Sequence, residues 1–246
     1  MPVLKYYSRS YLKERALSSD VLVIVQDVSQ SAEISSSLGF TQPNSELVRL
    51  AFSRLRPGLE NASTTEFLVI EKEELIKVVL AMLPPPGSRH NAPSRPHSVT
   101  RVVQSLNVEK DLLIILAPSC PEHMLAQGVA IARALPEYSK KMNKSKTSER
   151  KVSVVLHHPA ISSDMDPKLV EVSNLAESIM LCQRLVDLPP NELHTDSYVT
   201  ICEQVVEELQ SQEQFGSAIT TIKVIRGEEL EKQGFGGIWV CDITTT

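Results

Sequence analysis

The adjacent histidines His157 and His158 are the residues whose type most invites chemistry, because imidazole nitrogens ligate transition metals and titrate near neutral pH. Their setting argues against a shared site. They close an apolar run at 152–156 that reads as a strand, and neighbouring strand side chains point to opposite faces. His90, His97, His123 and His194 are scattered over loops and helix starts and are expected to be surface or hydrogen-bonding groups. Glu71, Glu73 and Glu74 supply carboxylates in a row, which reads as a solvated charged stretch. Asn191 and Glu192 fall in a turn, where an Asn side chain bonds nearby backbone. Gly234, Gly236 and Gly237 lack the G-x-G-x-x-G spacing after a strand that cradles a phosphate, so tight turning is their expected role.

Cys120, Cys182, Cys202 and Cys241 lie far apart, with no C-x-x-C pair and no histidine at finger spacing. Reduced, structural thiols are expected rather than a disulfide framework or a zinc site. The net charge of -5 gives no field that attracts a phosphate backbone, which disfavours nucleic acid as a general partner. A local basic run, Lys140, Lys141, Lys144, Lys146, Arg150 and Lys151, is mixed with Ser, Asn and Thr and reads as a solvated loop. The apolar run at 21–25 is too short to span a membrane, so no membrane segment and a cytoplasmic address are expected.

The elements that must position these residues follow from periodicity. Strands are read at 21–25, 65–70, 111–117 and 152–156 from their β-branched and aliphatic runs. The run at 75–83 is apolar nearly throughout, and periodicity alone does not decide its type; it is read as a strand ending at the triple proline 84–86. Val99, Val102, Val103 and Leu106 mark an amphipathic helix, and Leu125, Gly128, Ile131, Ala132 and Leu135 mark another that starts near Pro121. From Leu169, the positions Val172, Leu175, Ile179, Cys182 and Val186 describe a long helix stopped by Pro189 and Pro190. Thr195 and Asp196 are candidate N-caps for a helix with the face Tyr198, Ile201, Cys202, Val205 and Leu209. A strand at 219–225, a helical turn at 228–233 stopped by Gly234, and an extended segment at 236–240 complete the reading. Strands alternating with helices imply an α/β domain with a largely parallel sheet.

Against that background, 184–195 (RLVDLPPNELHT) resembles the helix-to-Pro-Pro-Asn turn at the entrance to the catalytic domain of leucyl aminopeptidases. About thirty residues on, 228–238 (EELEKQGFGGI) is similar to the Gly-rich turn that follows in that family. The stretch 88–94 (SRHNAPS), with 130–134 (AIARA) downstream, resembles the divergent animal branch of probable aminopeptidases.

The resemblance implies a macro-domain-like N-terminal α/β domain at 1–160, a connecting helix at 161–190 and the first elements of an incomplete α/β catalytic domain at 191–246. It implies a peptide substrate, a hexamer, and two divalent ions, Zn or Mn, held by a Lys-Gly…Asp-Thr-Gly-Gly segment and an Asn-Thr-Asp-Ala-Glu-Gly-Arg segment. Neither segment occurs in this sequence. No catalytic, cofactor-binding or metal-binding residue is therefore assigned, and no metal is expected to bind this chain. The expected function is that of the N-terminal part of a metalloaminopeptidase, inactive as it stands. A non-catalytic assembly module pairing with full-length subunits is the alternative.

Overall fold

A computed structural model describes residues 3–14, 19–85, 92–107, 110–135, 150–211 and 222–235. By backbone contacts the chain divides into two compact units, Met1–Asp187 and Leu188–Thr246.

The first unit opens with β1 (Val3–Ser8), a short helix α1 (Tyr11–Glu14) and β2 (Asp20–Val25). Helices α2 (Ser31–Ser37) and α3 (Asn44–Arg54) precede the hairpin β3 (Ser63–Glu71) and β4 (Glu74–Met82). Then come α4 (Pro96–Ser105), β5 (Leu112–Ala117), α5 (Met124–Ala134), β6 (Lys151–Leu156) and α6 (Pro167–Asp187). The six strands form one sheet in the order β1-β6-β5-β2-β4-β3, parallel throughout except for the antiparallel β3/β4 hairpin.

The strands expected in the first unit are all present, including the undecided run at 75–83, which is β4. The central strands β2 and β5 are buried at every position, which is why they read as unbroken aliphatic runs rather than alternating ones. Leu22, Ile24, Ile114 and Leu116 pack under α4 and α5 on one face, through Val99, Val103 and Ile131. Val23, Val25, Leu113 and Ile115 pack under α2 and α3 on the other, through Ile34, Val48 and Phe52.

Four elements had no reading from the sequence: β1, α1, α2 and α3. β1 is an edge strand whose positions are mostly exposed or half-buried, so it lacks the apolar run that marks β2. α2 is rich in serine, a residue that competes with the helix by bonding nearby backbone. Here Ser35 Oγ donates to the Ser31 carbonyl at 2.7 Å and the helix survives because Ile34 anchors it in the core.

The helix read from Leu169 is α6, but its buried stripe is rotated from the expected one. Leu169, Val172, Ala176 and Met180 are buried, whereas Leu175 is 41% and Val186 83% exposed. The reason is α5: Gly128 lies so close to Val172 that an added Cβ would sit 2.6 Å from Val172 Cγ1, and small residues at 128, 132 and 176 let the two helices approach. α6 therefore packs within the first unit, on α5 and on the partly buried Leu4 and Tyr6 of β1.

In the second unit, α7 (Thr195–Ser211) carries the expected apolar spacing, yet none of its side chains is buried. Thr195 and Asp196 do not cap it. The helix begins at Thr195, and His194 takes the cap: its N–H donates to Ser197 Oγ at 2.9 Å while its Nδ1 accepts from the Ser197 N–H at 3.5 Å. The described part of the expected strand at 219–225 is irregular backbone. α8 (Glu228–Lys232) ends as expected at Gly234, whose φ of 88° lets the Phe235 N–H reach back to the Leu230 carbonyl at 2.8 Å. The segment 236–240 lies outside the described residues.

Candidate functional site

In a parallel α/β sheet, ligands bind beyond the carboxyl ends of the strands, where neighbouring connections leave towards opposite faces. That point here lies between β2, whose chain turns to α2 and α3, and β5, whose chain turns to α5. Gln26 follows β2 directly and reaches across the gap. Its Nε2 donates to the Pro93 carbonyl at 2.8 Å, which identifies Oε1 as the acceptor.

Oε1 faces donors from three residues: Ser119 Oγ at 3.0 Å and N–H at 3.3 Å, His123 Nδ1 at 2.8 Å and Gln127 Nε2 at 3.0 Å. His123 Nδ1 must therefore carry its proton. Gln127 is fully buried and also donates to the Ser94 carbonyl at 2.7 Å, while Gln30 Nε2 donates to the Pro118 carbonyl at 2.9 Å. The crevice is laced shut by amide side chains. Ser119 Oγ also lies 3.4 Å from His123 Nδ1, but that nitrogen gives its proton to Gln26 and is no base for the hydroxyl; the network acts as a lock between the loops that follow β2, β4 and β5.

His157, expected near the end of β6, is 3% exposed; its Nε2 lies 3.9 Å from Glu33 Oε1, which is itself 3.5 Å from Arg9. Burial pushes its pKa below the ordinary imidazole value, and the Glu33 carboxylate opposes the shift. His158 takes a separate role, accepting from the Ala160 N–H on its Nδ1 at 3.0 Å. The two adjacent histidines thus make separate contacts.

His97 lines a surface cavity with Arg95, Arg101 and Glu60; His123 belongs to the Gln26 lock and His194 caps α7. His90, Lys140, Lys141, Lys144, Lys146, Gly236, Gly237 and Cys241 lie outside the described residues. Among the described residues, no three His, Cys, Asp or Glu side chains are placed to hold a metal ion. Cys120, Cys182 and Cys202 are free thiols, and no helix among the described residues is long and apolar enough to cross a membrane.

One expectation about carboxylates fails. Glu71 is 3% exposed and accepts from the Thr41 N–H at 3.1 Å, Thr41 Oγ1 at 2.8 Å and Asn44 Nδ2 at 3.0 Å. The Asn44 bond, with those from Thr41, holds its carboxyl below the usual range. Glu71 closes β3 on the face that packs under α2 and α3, where Thr41 and Asn44 reach it; its cross-strand partner Glu74 lies on the same face but stays exposed.

A mostly parallel six-stranded sheet with helices on both faces defines an α/β domain, and amide side chains cross the gap at the ends of its central strands. The family model "M17 aminopeptidase N-terminal domain 2" matches residues 19–144, about half of the chain, and the chain belongs to that family. It is 35% identical over 167 residues to the probable aminopeptidase NPEPL1 of Homo sapiens, covering 65% of this chain and 29% of that protein. It is 32% identical over 163 residues to leucine aminopeptidase 1 of Caenorhabditis elegans, covering 65% of this chain and 30% of that protein. The chain thus spans less than a third of the length of these relatives.

Among solved structures, leucyl aminopeptidase from Leishmania major superposes with a TM-score of 0.72 at 25% identity, over 96% of this chain and 43% of that one. Leucine aminopeptidase of Caenorhabditis elegans shares the fold, with a TM-score of 0.71 at 23% identity over 96% of this chain and 45% of that one. The resemblance read from the motifs is therefore real. The family match at 19–144 nevertheless falls entirely outside the 184–238 stretch that carried it most strongly.

Proposed function

We propose that this chain supplies the N-terminal part of a leucyl-type metalloaminopeptidase that removes N-terminal residues from peptides in the cytoplasm, assembled as a hexamer. Residues 1–160 form its macro-like domain, 161–190 the connecting helix and 191–246 the opening of the peptidase domain. The observation that supports this most is the family match over 19–144 in a chain covering only 29% of the human relative.

In the intact protein two divalent ions, Zn or Mn, would polarise the peptide carbonyl and activate a water. The described residues do not fit such a centre, since they cluster no three metal-ligating side chains, and no step is assigned to a metal on this chain. What these residues contribute is a rigid platform: the Gln26 lock holds the strand-end loops together, and Pro189 ends α6 in a turn closed by the Glu192 and Leu193 N–H groups on its carbonyl.

The alternative, a non-catalytic assembly module pairing with full-length subunits, draws support from α7, whose apolar face is only half-buried. Two measurements separate the readings. An immunoblot of cell extract against residues 92–135 is expected to show a species more than twice 27.2 kDa, and a band at that mass alone favours the module. The purified chain with leucyl-p-nitroanilide and Mn²⁺ or Zn²⁺ is expected to give no turnover, and metal-dependent turnover abolished by chelator would sink the assignment of catalysis to residues outside it.

A further inference from the structure

Arg95 is a buried cation with no counter-ion among the described residues. It is only 8% exposed, and no described carboxylate lies within ion-pair distance of it. Its Nε and Nη2 both donate to the Pro85 carbonyl, at 3.1 and 2.6 Å, and no described residue takes Nη1. One neutral carbonyl fixes the guanidinium in place without neutralising it, and a charge withdrawn from water is costly unless it is paired.

Arg95 lines a cavity of about 570 Å³ that it shares with Glu60, His97, Ser98 and Arg101. Arg101 is exposed, and its Nη1 donates to a neutral acceptor, Asn61 Oδ1, at 2.6 Å. With His97 neutral, two guanidinium groups against the one Glu60 carboxylate leave this wall net positive, in a chain whose net charge is -5. The start of α4 adds a donor. Arg95 is the N-cap, Pro96 brings no N–H to the first turn, and the Ser98 and Val99 N–H groups go to the Arg95 carbonyl at 3.1 and 3.3 Å. The His97 N–H is the one left over, at the positive end of the helix.

The wall therefore offers positive charge and N–H donors to an anion. Arginine suits a phosphate in particular, because its planar fork matches two phosphate oxygens at once. The volume says that the ligand is more than a bare ion, since cavities of this size hold small organic molecules.

We propose that this cavity binds a phosphate ester, with its phosphate taken by Arg95 and Arg101 and its organic part filling the remaining space. The anion would supply the counter-charge that Arg95 lacks. The site draws only on residues of the first unit and does not rest on the peptidase reading.

Isothermal titration of the whole chain with ribose 5-phosphate, inorganic phosphate and ribose, all at one ionic strength, tests it. Ribose 5-phosphate is expected to saturate one site per chain and to bind about tenfold or more tighter than inorganic phosphate, with ribose alone giving no heat. Arg101→Gln is expected to weaken that binding by about tenfold or more, the usual size of a lost charge-assisted hydrogen bond. Its Tm should stay unchanged, since Arg101 is exposed and bonds only Asn61 among the described residues. Arg95→Lys keeps the charge but loses the fork and is expected to weaken binding as well, with a lower Tm from the lost Pro85 contact. Arg49→Gln, which removes a positive charge paired with Glu46 outside the cavity, is expected to change nothing. No saturable binding of ribose 5-phosphate overturns the proposal. Binding untouched by Arg101→Gln, or weakened equally by Arg49→Gln, overturns it in favour of diffuse surface charge. Inorganic phosphate binding as tightly as the ester overturns the ester class.

Discussion

A carboxamide oxygen has two lone pairs, and Gln26 Oε1 faces donors from Ser119, His123 and Gln127 in the gap between β2 and β5. Replacing Gln26 with Leu would leave those donors facing a hydrocarbon, at about 1–3 kcal/mol for each one left unsatisfied. A loss of roughly 3 kcal/mol is expected, seen as a fall in Tm of about 6–12 °C for a chain of this size. Gly128→Ala drives a methyl into Val172 and is expected to cost about 1–3 kcal/mol. If that contact is the cause, the double variant Gly128→Ala/Val172→Ala will lose less than the sum of the two single losses in a denaturant titration. His157 gives a pH dependence of known sign. Its pKa is depressed in the folded state, so the unfolded state binds more protons as pH falls below about 6.5, and stability declines from there downward. His157→Gln should flatten Tm between pH 5 and 7. Glu71 acts lower: its stabilisation holds above the ordinary carboxyl value of about 4.3 and is lost as pH falls through its depressed pKa. Histidine positions could be read beforehand, but the Gln26 lock could not, because its members lie about a hundred residues apart and carry no motif.

The β3/β4 turn is built on Lys72 and Glu73 with φ of 49° and 68°, a two-residue turn with both central residues left-handed. Such a turn favours Asn-Gly, and Lys72→Asn/Glu73→Gly is expected to raise stability by about 1 kcal/mol, measured by the shift in denaturation midpoint. α7 lies at the opposite extreme of burial from α5. Amides in 195–211 are expected to exchange hydrogen at least about tenfold faster than those of α5, whose Ile131 and Ala132 are fully buried. Equal protection in the isolated chain would mean that α7 is covered. Strands proved easiest to recognise where both faces are buried throughout, as in β2 and β5, whereas the longer apolar run of β4 left its type undecided by periodicity. β1 and α3 went unread because their apolar residues do not single out one face: in α3 Val48 and Phe52 are buried while Leu47 and Leu50 are exposed, and only neighbouring elements decide which positions are covered.

For the chain as a whole, the sequence alone determined the α/β class and the largely parallel sheet, because buried aliphatic runs, helix periods and proline or glycine stops are local signals; the leucyl aminopeptidase family was legible only through the resemblance of 184–195 and 228–238 to that family's turns. Tertiary structure decided the rest. It placed β1 beside β6 at a separation of well over a hundred residues and rotated the buried stripe of α6 to fit Gly128. It also sank Glu71 into a hydrogen-bonded pocket that its charged neighbours do not share. In the same way it left one face of the β3/β4 hairpin bare near its turn, a fact invisible in an alternating strand until the length of β2 beside it is known. Each of these depends on which residues meet across the fold, and pairings between distant segments leave no trace in the order of either one.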